Sequence, residues 1–334
     1  MDSKNPLKSI ILMPYISEID SLKDLKDLFV NKEGHLINYS RYWHGQAMYS
    51  KLMMLIMPLG YTMYFMQLAS LIILFILVIK KLFKHNKLLS IGYAFMCLCI
   101  NLFFTAFSVE YYFVSLLMLI FTYVVINLVE KMSRNIGLMF AISGALTCFF
   151  DFLTCETLVL TVPLFIYIFL CIDKNKKQLF KEIIKFIFIW GMFYCLTFFS
   201  KWIIAILYMG FDYIFVILNQ ALLRVADKGL SFPVRFAKSV LLVFKDLLPF
   251  AFFESGMIFV IILLLFSIHI LIFDNKKYSL LLIPVVIPFI RFFVISTHSY
   301  YFHYFAYRAI GVVILFIVMM LLLKFKSFLV KKYN

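Results

Sequence analysis

Long apolar runs separated by short basic loops dominate this sequence. A helix needs about 20 apolar residues to cross the hydrocarbon core of a membrane. Nine runs approach that length, near 52–79, 88–107, 111–129, 136–150, 157–172, 186–209, 255–273, 279–296 and 306–323. The fourth and fifth runs are short, which is typical of tilted or re-entrant segments. The pattern therefore predicts an all-α polytopic transmembrane bundle of about nine spans.

The charged residues predict how the bundle is oriented. Five short loops hold 17 of the 32 Lys and Arg residues, at 80–87, 130–135, 173–185, 274–278 and 324–334. The intervening short loops at 108–110 and 151–156 hold none. Because Lys and Arg collect in short cytoplasmic loops, we expect a cytoplasmic C-terminus and an external location for 1–51 and 210–254.

The two long external segments have an amphipathic pattern. In 1–51, Leu22, Leu25 and Phe29 recur at helical spacing between acidic residues, and in 210–254 a second helix is expected after Pro233. We divide the chain into an external amphipathic segment, 1–51, and a multi-span membrane domain, 52–334, which includes the interfacial segment 210–254. These helices either pack against the bundle or frame a site that handles lipid head groups.

Composition narrows the class of partner. Of the 334 residues, 64% are hydrophobic and the mean hydropathy is +0.99, against roughly 45–50% apolar residues in soluble domains. The net charge of +15 lies mostly in the short loops, so we expect membrane lipid as a partner and no nucleic acid. No nucleotide-binding motif occurs. An enzyme of this kind would receive its donor through the lipid.

Two carboxylates stand alone at predicted outer span ends. Glu110 follows the second span and Asp151 the fourth, and neither has a cation beside it in the sequence. A buried lone carboxylate is costly, so each requires a partner if it is buried. Asp151 is either a helix cap or, like Glu110, a candidate catalytic acid/base or metal ligand.

Cations and aromatic rings cluster at the same predicted edge. Aromatic faces stack on sugars, whereas Arg and His bind phosphate. The candidate substrate-binding residues are Arg41, Trp43, His44, Lys201, His298, Tyr300, His303 and Arg308. Lys201 and Arg291, inside apolar runs, either extend to the outer interface, pair with Asp151 or hold a phosphate. His298 and His303 are five residues apart, which disfavours a shared metal site on one helical face.

Several patches taken in order resemble bacterial polytopic proteins with surface-polysaccharide functions, which look like distant relatives of the GT-C-type membrane glycosyltransferases. The patches are 40–45 (Ser-Arg-Tyr-Trp-His-Gly), 149–154 (Phe-Phe-Asp-Phe-Leu-Thr), 200–202 (Ser-Lys-Trp), 298–300 (His-Ser-Tyr) and 307–308 (Tyr-Arg). They extend over most of the chain, and their order and spacing carry the resemblance.

The resemblance implies transfer of a sugar from a polyprenyl-phosphate donor to a cell-envelope glycan on the outer face. It also implies a carboxylate in the first external loop. That motif and the span before it, expected upstream of Met1, are not in this sequence, so we expect a misassigned start, a truncated gene or a protein that works differently. Asp151 or Glu110 would then be the acid/base or metal candidate, with Mg²⁺ or Mn²⁺ the chemical expectation for any metal. The alternatives are a non-catalytic remnant or accessory subunit of an envelope-polysaccharide assembly, and a lipid-linked sugar transporter.

Overall fold

The computed structural model describes residues 14–16, 36–38, 42–56, 60–151, 153–225, 230–247 and 256–333. The α-helices in chain order are α1 (Gly45–Met54), α2 (Tyr61–His85), α3 (Lys87–Cys99), α4 (Val109–Glu130), α5 (Ile136–Phe150), α6 (Thr157–Leu170), α7 (Lys176–Met209), α8 (Tyr213–Val225), α9 (Phe232–Lys245), α10 (Gly256–Phe273), α11 (Leu282–Val294), α12 (Ser296–Tyr301), α13 (His303–Ala306) and α14 (Gly311–Tyr333). Short 3₁₀ helices cover Leu102–Phe107, Lys276–Leu281 and Tyr307–Ile310.

One small ribbon accompanies the helices. Strand β1 (Pro14–Ile16) pairs antiparallel with β2 (Leu36–Asn38), and Tyr15 lies opposite Ile37. The amphipathic helix expected near Leu22 and Phe29 falls outside the described residues.

The helices confirm a multi-pass membrane protein, but not nine spans. Among the described residues, six helical segments are long and apolar enough to cross a membrane: Tyr61–His85, Val109–Glu130, Lys176–Met209, Gly256–Phe273, Lys276–Val294 and His303–Val330. The other three apolar helices, α3, α5 and α6, have 13, 15 and 14 residues. At 1.5 Å per residue they reach about 20–23 Å, short of a core about 30 Å thick. The predicted run 88–107 ends early as a helix because Asn101 adopts a left-handed conformation (φ 57°).

The short helix α6 forms the centre of the bundle. Every residue from Thr157 to Phe169 is buried, and α6 packs against α4, α5, α11 and α14. By contrast, α2 and α7 expose large apolar side chains, such as Phe65 and Phe188, on their outer faces. A helix that is apolar on all sides belongs inside a protein or membrane, and the peripheral helices carry the lipid-facing surface.

Ion pairs join the lysine-rich loops at one end of the bundle. The bonded atoms are Lys81 Nζ and Glu130 Oε2 (2.5 Å), Lys277 Nζ and Asp173 Oδ1 (2.5 Å), and Lys324 Nζ and Asp274 Oδ2 (2.6 Å). We call this the basic end. The opposite end comprises 42–45, 101–111, 151–156, 246–247 and 295–310.

The segment after Pro233 is a helix as expected, but one of its predicted faces is wrong. The sequence pattern places Arg235 with Lys238 and Lys245 on a polar face. In the structure Arg235 is buried, and its Nε donates to Ser296 Oγ at 3.1 Å. Helix α9 packs against α10, α11, α12 and α13, so contacts with the bundle determine its rotation.

We expect Gly144→Ala to destabilise the fold by about 1–3 kcal/mol, because a methyl group there has no space. A Cβ on Gly144 of α5 would lie 2.3 Å from the backbone oxygen of Trp190 on α7. The matched control is Gly191→Ala, where an added Cβ meets nothing within 4 Å. Thermal unfolding of the purified variants in detergent measures the effect. Equal midpoints for wild type and Gly144→Ala would contradict it.

Candidate functional site

Two buried carboxylates at the opposite end, Asp151 and Glu156, lie in the loop between α5 and α6. Asp151 directly follows α5, and its Oδ2 accepts a hydrogen bond from the Thr154 backbone N–H at 3.1 Å. The Thr154 hydroxyl also donates to Asp151. Burial, reinforced by the neighbouring Glu156 carboxylate, raises the pKa of Asp151 to about 7. Asp151 therefore acts as a loop cap whose oxygens are occupied by Thr154.

Arg291 of α11 holds this loop in place. Its Nε donates to Glu156 Oε1 at 3.0 Å, and its Nη2 donates to the carbonyls of Leu153 (2.6 Å) and Thr154 (3.1 Å). Its Nη1 donates to Ser299 Oγ at 3.0 Å. Arg291 thus pairs with Glu156, whereas the sequence suggested Asp151 as a protein partner. Leu153 has φ +63°, and the bond to its carbonyl stabilises that unfavourable conformation.

Arg308 is a second buried arginine with a different environment. It is 8% exposed, and its guanidinium lies over the rings of Tyr111 (5.3 Å) and Tyr307 (4.9 Å). Within the described ranges its Nε has no hydrogen-bond acceptor, and no carboxylate forms an ion pair with it. Cys155 lies within its electrostatic reach: burial raises the pKa of that thiol to about 12, and Arg308 opposes the rise.

Glu110 begins the same helix as Tyr111. It is half-buried in the first turn of α4, and its charge acts on the Tyr111 hydroxyl, as does that of Arg308. In the part of the chain that the structure describes, no cation pairs with it. Glu110 and Arg308 thus lie on either side of one tyrosine, each without a protein counter-ion among the described residues.

His303 pairs with an acidic residue that sequence reasoning missed. His303 opens α13, and its Nδ1 lies 2.5 Å from Oδ2 of Asp246, which follows α9. The side chains remain 29% and 24% exposed, respectively. In the sequence, Asp246 is distinguished only as the one acidic residue between Asp227 and Glu254.

The predicted residues at 43–44 serve mainly to attach α1 to the bundle. Trp43 Nε1 donates to the Thr197 carbonyl at 2.7 Å, and the Lys201 ammonium lies 5.1 Å from the Trp43 ring centroid. Lys201 is 2% exposed. The His44 carbonyl accepts the first hydrogen bonds of α1. Arg41 lies outside the described residues.

The remaining predicted residues divide between core and surface. His298 is buried, with its ring 4.9 Å from Phe302 and 5.9 Å from Phe305. Tyr300 is half-buried and packs edge-on against Tyr301 at 5.2 Å. The structure thus brings Glu110, His303 and Arg308 to one region around Tyr111 and Phe305, and it places the His298 ring against Phe302 and Phe305.

An apolar cavity of about 280 Å³ lies beside the same loop. Its walls include Leu153 of the loop, Phe198 and Trp202 of α7, Ile217 of α8, and Ile295 after α11. Aromatic and aliphatic walls suit a hydrocarbon ligand rather than a charged one.

The described carboxylates do not form a metal site. No group of three or more His, Cys, Asp or Glu side chains with suitable geometry occurs among the described residues. The oxygens of Asp151 bond to Thr154, and Glu156 pairs with Arg291, so these two carboxylates do not suit a shared divalent ion.

Comparison with known proteins gives no relative: no family model matches this chain, and no curated protein or solved structure does so.

Replacing Arg291 with Leu should destabilise the protein by about 3–5 kcal/mol, because Glu156 would be left buried and uncompensated. The control is Lys277→Leu, which breaks an ion pair whose side chains are 51% and 87% exposed. Exposed pairs contribute about 0–1 kcal/mol. Denaturation of both purified variants tests the contrast, and a similar loss for the two would show that Arg291 does not hold the loop.

Asp151→Asn should stabilise the fold more at pH 8 than at pH 5. The raised pKa means that the folded state resists ionisation of Asp151, so wild-type stability falls as pH rises from about 4 towards 7. Asn keeps an acceptor for Thr154 and has no charge to bury. The measurement is the difference in Tm between variant and wild type at each pH. A Tm difference that is larger at pH 5 than at pH 8 would contradict the raised pKa of Asp151.

Proposed function

We propose that this chain is a GT-C-like membrane glycosyltransferase of the bacterial plasma membrane. It would transfer a sugar from a polyprenyl-phosphate donor to a cell-envelope glycan at the outer face. The observation that supports this most directly is Arg308: a buried guanidinium that has no anion among the described residues.

Phosphate is the anion that best fits Arg308. A guanidinium is planar and more weakly hydrated than an ammonium, and it binds phosphate oxygens through two parallel N–H donors. The Tyr111 and Tyr307 rings lie 5.3 and 4.9 Å from the guanidinium, and neither supplies it with an anion. In such a dry environment an arriving phosphate gains more from the charge than it would in water.

The other parts of a lipid-linked sugar also have counterparts at the opposite end. Glu110 supplies a half-buried carboxylate that suits the hydroxyl groups of a sugar. Glu110 is preferred to Asp151 here because Thr154 occupies the Asp151 oxygens. The apolar cavity beside Leu153 suits a stretch of prenyl chain.

The charge distribution supports an outward-facing site. The basic end contains the lysine-rich short loops, which favour the cytoplasmic side, together with the C-terminal residues of α14. The opposite end, with Glu110 and Arg308, then faces outward.

One observation favours a second candidate, a non-catalytic accessory subunit of an envelope-polysaccharide assembly. Asp151, the carboxylate within the resemblance, is engaged as a cap rather than directed at a ligand. In that case the opposite end would bind a lipid-linked sugar or a glycan without reacting with it.

Deleting the gene should raise the pool of one polyprenyl-phosphate sugar and remove one constituent from the envelope glycan, both measured by mass spectrometry. Complementation with Arg308→Gln should leave transfer about 10²- to 10³-fold lower, because the departing phosphate loses its cation. Arg134→Gln, an exposed arginine at the basic end, is the control and should restore transfer. Protein amounts in the membrane are matched first.

Two results would count against this function. Full restoration by Arg308→Gln would remove Arg308 from the site. A deletion strain with an unchanged glycan and an unchanged lipid-linked sugar pool would reject transfer altogether.

A further inference from the structure

We propose that Asp246 and His303 form a general-base dyad that takes the proton from the acceptor hydroxyl. This inference rests on the proposed transfer reaction and identifies its base. The sequence indicates His303 as a sugar contact only, and it does not link Asp246 to the site.

The geometry fixes both the orientation and the tautomer of the imidazole. An ionised carboxylate only accepts hydrogen bonds, so at 2.5 Å from Asp246 Oδ2 the Nδ1 atom of His303 carries the hydrogen. The lone pair then resides on Nε2. A histidine oriented in this way by a carboxylate can accept a proton at Nε2 while the carboxylate stabilises the resulting imidazolium.

The dyad remains open to a substrate. The His303 side chain is 29% exposed and Asp246 is 24% exposed, in contrast to the buried pair of Arg291 and Glu156 at 4% and 8%. The pair of His303 and Asp246 keeps an accessible edge at the opposite end of the bundle.

A continuous series of rings connects the dyad to Arg308. His303 lies 6.0 Å from the Tyr304 ring, which lies 5.1 Å from Phe305. Phe305 in turn is 5.6 Å from Tyr111, and Tyr111 is 5.3 Å from the Arg308 guanidinium. Helix α9, which ends beside Asp246, also packs on the short helix that contains Arg308. His303 and Arg308 are therefore linked through consecutive ring contacts at the opposite end of the bundle.

The step is balanced with these groups. The acceptor oxygen forms a bond to the anomeric carbon of the donor sugar, and its proton moves to His303 Nε2. The bond from that carbon to the phosphate oxygen breaks. The electron pair leaves with the polyprenyl phosphate, whose negative charge lies at Arg308. His303 thus takes the proton, and Arg308 stabilises the charge on the departing phosphate.

A purely structural role is the competing explanation, since the pair joins α9 to α13. His303→Asn separates the two roles. An Asn side chain places an N–H donor near the position of Nδ1 and keeps the bond to Asp246, but it cannot take a proton. The matched control is His85→Gln at the basic end, where His85 Nε2 lies 2.9 Å from Glu130 Oε1.

The experiment uses the deletion strain complemented with each full-length variant at matched membrane levels. The readouts are the amounts of accumulated polyprenyl-phosphate sugar and of the missing glycan constituent. We expect His303→Asn and His303→Ala to lower transfer about 10²- to 10⁴-fold and His85→Gln to restore it. Restoration by His303→Asn but not by His303→Ala would establish a clamp and overturn the proposal. Restoration by both would overturn it as well.

Asp246 is a positioning residue and has its own test. Asp246→Asn should lower transfer because it no longer stabilises the imidazolium, and Asp246→Glu should partly rescue it. If Asp246→Asn transferred the sugar as well as Asp246→Glu does, the role of Asp246 would be overturned. If wild-type protein restores transfer and the His303 and Asp246 variants restore it to the same level, the dyad proposal is rejected but the proposed function is not. If deleting the gene changes neither glycan nor lipid pool, the proposed function fails, and the dyad with it.

Discussion

The hydrogen bonds of Arg291 are the interaction on which the opposite end of the bundle depends. One guanidinium, 4% exposed at its side chain, satisfies Glu156, two loop carbonyls and Ser299 at once. A buried charge without such partners is strongly unfavourable, so the loop, the start of α6 and helix α12 are ordered together. Leu153 keeps its left-handed conformation for the same reason.

Arg308 shows what the same side chain does without protein partners. Seventeen residues separate it from Arg291, and both are largely buried at one end of the bundle. Within the described chain, Arg308 has aromatic faces and no acceptor at Nε. Among the described residues one buried arginine is thus fully paired and the other has no anion, and this contrast supports the proposed anionic ligand. That asymmetry is a stronger argument for function than the abundance of aromatic residues at this end.

The carboxylates differ in the same way. Asp151 accepts hydrogen bonds from Thr154 and Oε1 of Glu156 accepts one from Arg291, whereas Glu110 has no ion pair in the described structure and Asp246 orients an imidazole. All four are acidic residues close to helix ends. Their roles differ because the partner available to each comes from a distant part of the chain: Arg291 follows Glu156 by 135 residues, and His303 follows Asp246 by 57.

The sequence by itself determined the class of protein and the grouping of its basic loops, because apolar runs and lysine placement are local properties. It also indicated Glu110, His303 and Arg308. Only the tertiary structure decided where the apolar run 88–107 ends as a helix, that α6 is central, and that Arg235 points inward. It alone paired Arg291 with Glu156 and Asp246 with His303. Those contacts depend on how helices rotate and cross, and no local pattern encodes the partner of a buried charge.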